Sequence, residues 1–189
     1  SFPFRYRGGH VWVRASINGL PAADFILDTG CTASAVDRSW ALKAGLPLEG
    51  ETATQGVGGY DTGGYAHART VRVSGANGDG VEVRDLKVVA LELQDDLSSA
   101  DWYKSAGLLG YDFLGRFVVA LDFDRQVVTL YDPATWQHAG GGEGLPMQLY
   151  SNIPTVEVTL NARCKGRFIV DVGNATVMSV HTKQVEQCG

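Results

Sequence analysis

The chain carries one short signature twice. Residues 24–30 read DFILDTG and residues 167–173 read RFIVDVG, so an apolar run twice ends on an aspartate followed by a small turn and a glycine. Three consecutive apolar residues bounded by turn residues mark a buried strand. A carboxylate at the end of such a strand is costly unless donors or a shared proton stabilise it. A chain that does this twice must contain two related units, each delivering an Asp to the end of a core strand. With Asp171 laid on Asp28, Val156 falls on Val13, Asn161 on Asn18, Phe168 on Phe25, Ile169 on Ile26 and Gly173 on Gly30. We read an internal repeat. Its second copy runs to Gly189, just past its first expected helix, and lacks counterparts of residues 47–132. It is expected not to bury a complete core alone.

Glycine supplies 24 of the 189 residues, mostly between short runs of Val, Leu and Ile, which predicts many short strands joined by tight turns. Strands are expected at 11–17, 24–28, 67–73, 81–91, 117–123 and 126–132. A helix is expected over 36–46, closed by Gly45, and a shorter one around 111–117. The class is mainly β. HAGGGEGLP, residues 138–146, has linker composition and divides a unit at 10–137 from a partial one at 147–189. A formal charge of −5 gives no electrostatic reason for a nucleic-acid partner, and no apolar run is long enough to span a bilayer.

Three further segments give the first Asp a context. After Asp28-Thr29-Gly30 comes TQGVGGYDTGG (54–64), suited to a mobile hairpin centred on Tyr60. GLLGYDFL (107–114) then supplies an apolar-apolar-Gly run, and a strand pair follows it. The order resembles the retropepsin-like aspartic proteases over roughly residues 10–132. The duplicated layout is similar to bacterial proteins with two tandem retropepsin-like domains. The resemblance implies a retropepsin-like (acid protease) β-barrel with a few short helices, followed by the start of a second similar lobe. It implies an aspartic-type endopeptidase with Asp28 and Asp171 as catalytic residues. Thr29, Gly30, Val172 and Gly173 would form the active-site loops, and Gly56, Val57, Gly58, Gly59 and Tyr60 a substrate-binding flap. The Leu108-Leu109-Gly110 strand would brace the first loop.

Two carboxylates held about 3 Å apart cannot both ionise, so they share a proton across the acid-to-neutral range. One then acts as base toward a water and the other as acid toward the carbonyl. No metal or other cofactor is implied, and the four histidines share no ligand-like spacing. The partner would be an extended peptide or protein substrate, with neither nucleic acid nor membrane insertion expected. One Asp per unit supplies half a site, which calls for a second lobe or a homodimer joining two copies of Asp28.

Two positions depart from the family pattern. Val172 stands where the family has a Thr whose hydroxyl ties the two loops together. Cys31 stands where Ala or Ser usually follows D-T-G, and a thiol is a weaker donor than a hydroxyl. The Val172 departure and the incomplete second copy favour the alternative of a catalytically inactive module for peptide binding or dimerisation, whereas the intact first motif and flap favour the enzyme. The Asp122-Phe123-Asp124 run is better explained as a hairpin turn than as a phosphotransfer pair. Cys164 and Cys188 would pair in an oxidising compartment; three reduced thiols are the other reading. The start at Ser1 suggests a processed product, and the expected setting is periplasmic or secreted, with the cytoplasm an open alternative.

Overall fold

Strand β3 (His10–Ile17) organises the first repeat because nearly all of it is buried. It is preceded by β1 (Phe2–Pro3) and β2 (Arg5–Arg7) and followed by β4 (Ala23–Leu27), β5 (Ala35–Asp37) and helix α1 (Arg38–Lys43). Then come β6 (Leu48–Gly56), β7 (Gly59–Ser74), β8 (Gly80–Leu91), β9 (Gly107–Leu109) and helix α2 (Tyr111–Leu114). The chain continues through β10 (Val118–Asp122), β11 (Val127–Tyr131), β12 (Met147–Tyr150), β13 (Ile153–Leu160), β14 (Cys164–Ile169) and helix α3 (Thr182–Cys188). This computed structural model describes residues 1–56, 59–75, 78, 80–93 and 105–188, with side chains for all of these except 51–56, 59–62, 187 and 188. Among the described residues no helix is long and apolar enough to cross a membrane.

The fold is mainly β, as expected. Eight strands run in the order β2-β3-β4-β9-β5-β8-β7-β6, and β7 returns to pair with β3, which closes six of them into a barrel. Side chains of successive strand residues point to opposite faces. Phe25 and Leu27 therefore enter the main core with Val13, Val71, Leu109 and Phe113, while Ile26 joins Trp12 and Leu108 in a second cluster. Trp40 on α1 packs edge-on against Phe25, with ring centroids 5.7 Å apart. Asp37 caps α1 by accepting a hydrogen bond from the Trp40 N–H at 2.7 Å.

Several expected boundaries shift. The strand expected at 67–73 begins at Gly59, and 48–56 and 5–7 are also strands, each in polar or Gly-rich sequence without an apolar alternation to announce it. The second helix stops at Leu114, because its cap residue Gly115 donates back to the Phe113 and Tyr111 carbonyls and ends the turn. The Asp122–Gln126 segment is a hairpin turn between β10 and β11, in which Asp122 accepts from the Arg125 N–H at 2.9 Å. Residues 138–146 form no strand or helix and are exposed.

The repeat is visible in the hydrogen-bond register. In β3–β4, Trp12 faces Ile26, Val13 faces Phe25 and Arg14 faces Asp24; in β13–β14, Thr155 faces Ile169, Val156 faces Phe168 and Glu157 faces Arg167. Every one of these pairs recurs 143 residues on, as do the pairs of β2–β3 in β12–β13. The turns recur too. Gly8 and Gly9 have φ of 60° and 81°, and their counterparts Ser151 and Asn152 have 50° and 64°, the two-residue hairpin type that needs left-handed backbone twice.

The turn after β3 gives a test of that correspondence. Gly19 sits at φ 76° with open space around it, and its counterpart Ala162 sits at φ 58°. A side chain in left-handed backbone costs about 1–2 kcal/mol, which glycine avoids. Ala162→Gly should therefore raise stability and Gly19→Ala lower it, each by about 1 kcal/mol in denaturant unfolding.

Candidate active site

Asp28 follows β4 directly, and its backbone N–H donates to the Leu109 carbonyl at 3.0 Å. That bond extends the parallel pairing of β4 with β9, in which Ile26 faces Leu108 and Leu27 faces Leu109. The Leu108-Leu109-Gly110 run thus braces the Asp28 loop, as the sequence implied. Beyond it, the Gly30 and Cys31 N–H groups donate to Asp28 Oδ1 at 2.9 and 3.1 Å. The second copy repeats the turn: the Gly173 N–H donates to Asp171 Oδ1 at 2.8 Å.

One chain brings both loops together. The Thr29 hydroxyl donates to the Val170 carbonyl at 2.6 Å and accepts from the Val172 N–H at 3.0 Å. A Cβ on Gly30 would lie 2.5 Å from Asp171 Oδ2, and one on Gly173 would overlap the Asp28 carboxyl group. Each glycine lets the opposing aspartate reach across. Val172 packs against the main core of the first repeat. Having no hydroxyl, it cannot return the bridge that Thr29 makes, so the link between the loops is one-sided.

Asp28 is only 8% exposed. Burial, and next the negative charge of Asp171, push its pKa from 3.8 up to about 6, against the donors from Cys31 and Gly30. Burial and the neighbouring Asp28 push the Cys31 thiol up to about 12, so it stays protonated and available as a donor rather than a nucleophile.

The sequence reading did not pick out Ser34 and Asp112. Asp112 Oδ1 accepts from the Ser34 N–H at 2.9 Å, the Ser34 hydroxyl at 2.6 Å and the Phe113 N–H at 2.8 Å. The Ser34 hydroxyl in turn accepts from the Gly110 N–H at 3.0 Å, and the Tyr111 N–H donates to the Cys31 carbonyl at 2.8 Å. This network clamps residues 31–34 to the start of α2. Its only sequence signal was an acidic residue at the first turn of a short helix. Of the flap residues, Gly56 pairs with Gly59 and Gln55 with Tyr60 across the β6–β7 hairpin, while Val57 and Gly58 lie outside the described residues. Cys164 is disulfide-bonded and Cys31 is free; the Cys188 side chain lies outside the described residues.

The profile of the aspartyl protease family matches residues 13–113, which span most of β3, the Asp28 loop, β9 and most of α2. The chain belongs to the aspartyl protease family. A retropepsin-like aspartic protease from Rickettsia conorii has a similar solved structure, with 21% identity and a TM-score of 0.45 over 68% of this chain and 88% of that one. No curated protein sequence matches the chain. In this aspartyl protease family member, the matched segment contains Asp28 and ends before Asp171.

The Thr29 bridge can be tested without an activity assay. Thr29→Val keeps the shape and removes both hydrogen bonds, which should cost about 1–3 kcal/mol in denaturant unfolding, whereas Thr29→Ser should retain most of the stability. The raised Asp28 pKa has its own signature. Below the ordinary pKa of 3.8 both folded and unfolded chains are protonated there; between 3.8 and about 6 only the unfolded chain loses the proton. Stability should fall as pH rises through that window and stay lower above it. Asp28→Asn keeps an acceptor for the loop N–H groups, so it should gain on the wild type between pH 4 and pH 7, measured by thermal unfolding across pH.

Proposed function

We propose that the chain is an aspartic-type endopeptidase whose two carboxylates, Asp28 and Asp171, work as one pair within a single polypeptide. The observation that carries this reading is the Thr29 hydroxyl, bonded to both sides of Asp171 at Val170 and Val172. The buried Asp28 beside Asp171 fits a pair that holds one proton between them.

In this scheme the ionised carboxylate removes a proton from a water as its oxygen bonds to the peptide carbonyl carbon. The protonated carboxylate gives its proton to the carbonyl oxygen, and a neutral gem-diol results. Proton transfer to the amide nitrogen then accompanies C–N cleavage, and the other diol hydroxyl returns its proton to the pair. The substrate would be an extended peptide covered by the β6–β7 hairpin as flap, with Thr29, Gly30, Val172 and Gly173 holding the carboxylates in place. The Cys164 disulfide supports a periplasmic or secreted setting.

A second reading has its own support. Val172 gives the loops only one of two possible hydroxyl bridges, which would suit an inactive module that binds peptides. A homodimer built on two copies of Asp28 is less favoured, because Asp171 already faces Asp28.

Cleavage of an unfolded protein substrate separates these readings. Asp28→Asn and Asp171→Asn should each lower kcat/KM by roughly 10²–10⁴-fold with the fold retained. Activity per chain should not change on dilution; a falling specific activity with an unaffected Asp171→Asn variant would point to the homodimer. No cleavage by the wild type between pH 3 and pH 7 would leave the binding module. If the pair shares a proton, activity should decline above about pH 6, where Asp28 ionises.

A further inference from the structure

Alternation along β4 assigns Asp28 a face. Phe25 and Leu27 point into the barrel core, so Ile26 and Asp28 point away from it together. On that outer face Ile26 packs with Trp12, Val89 and Leu108, and half-buried Cys31 and Tyr65 edge the cluster. Cys31 joins the cluster to the site, since its N–H also donates to Asp28. A peptide lying over Asp28 beneath the β6–β7 hairpin therefore runs along the edge of this cluster.

Lys87 stands at that edge. Tyr65 on β7 faces Val89 on β8, and Lys87, two positions before Val89, shares their face. Its ammonium lies 3.6 Å from the centroid of the Tyr65 ring. Among the described residues Lys87 forms no ion pair. Glu49, directly across from Tyr65 on β6, is exposed and makes no ion pair with it. Asp85 lies 3.8 Å from the His67 imidazole instead.

We propose that Lys87, steadied by Tyr65, is a specificity-determining residue that selects a carboxylate side chain in the bound peptide. This rests on the reading of an extended peptide beneath the hairpin. It narrows the substrate class to peptides with Glu or Asp near the apolar residues at the cut. The ring holds the ammonium in place, which reduces the ordering cost of binding. The apolar cluster beside it lowers the local dielectric, which strengthens attraction to a carboxylate. The spacing also fits. Strands rise about 3.3 Å per residue, so Lys87 stands about 7 Å along β8 from Val89, the interval between alternate side chains of an extended peptide. A peptide side chain seated on the cluster leaves the one two residues along within reach of Lys87.

The test measures binding, not turnover. The probe is acetyl-SAALFAAS-amide, with Glu, Gln or Lys replacing each Ser or Ala in turn. It is titrated into the full chain carrying Asp28→Asn, so that the peptide stays intact. At one position the Glu peptide should bind roughly fivefold more tightly than the Gln peptide at low salt, and about equally at about 0.5 M salt. Lys87→Glu should invert that preference toward the Lys peptide at the same position, whereas Lys43→Glu on α1 should leave it unchanged. Equal binding of the Glu and Gln peptides at every position would overturn the proposal, as would a Glu preference that survives Lys87→Glu. A Glu preference in a chain whose wild type cleaves nothing would support it and count against catalysis alone. Cleavage by the wild type without any Glu preference would overturn it and leave the catalytic reading standing. Binding of none of the peptides would overturn both this proposal and the peptide site on which it rests.

Discussion

The Thr29 hydroxyl holds the candidate site together. It is the group that gives to one carbonyl and takes from one N–H across 141 and 143 residues of sequence. Besides it, Val172 in the first repeat's core and the close approach of Gly30 to Asp171 and of Gly173 to Asp28 fix how the two hairpins meet. Together these contacts lock each Asp-x-Gly turn opposite the other, and the two glycines leave room for the facing carboxylates. A hydroxyl suits this because it donates and accepts at once, in a space no larger than a valine side chain. Val172 fills the matching space in the second loop but can do neither.

The electrostatics follow from that arrangement. A carboxylate as buried as Asp28 next to a second carboxylate would be untenable if both were ionised. The loop N–H groups from Gly30 and Cys31 stabilise its charged form, and burial with Asp171 opposes them. The balance leaves Asp28 titrating at about 6, above the ordinary carboxylate range. Cys31 adds a protonated thiol on the same side, whereas the corresponding position in the second copy is Asn174. The pair is therefore chemically unsymmetrical even though its backbone is nearly symmetrical.

Much of this was legible in the sequence. The apolar runs before Asp28 and Asp171 gave β4 and β14, and the spacing of 143 residues gave a repeat that the strand registers reproduce pair by pair. Gly45 marked the end of the first helix, whereas the second, expected to run to 117, stops at Leu114 before Gly115. What escaped was nonlocal or polar. The strands at 48–56 and 59–66 carry Gly, Thr and acidic residues whose pairing comes from the hairpin backbone and not from a buried stripe. Ser34 and Asp112 are 78 residues apart, and nothing in either segment announces that one carboxylate will collect three donors from the other's loop and its own helix.

The contrast between the repeats shows which information is local. Turn chemistry and side-chain alternation set a hairpin's register, so Gly8-Gly9 and Ser151-Asn152 produce the same pairing from different residues. Burial is set by what arrives from elsewhere in the chain: β7, β8 and β9 enclose the first hairpin, and the second hairpin has no described counterparts of them. Ile26 and Ile169 are the same residue in the same register, one fully buried and the other half-exposed. Local sequence accordingly places the two aspartates at the ends of equivalent strands. Nonlocal packing decides how deeply each is buried, and in this chain Asp28 is buried whereas Asp171 is half-buried.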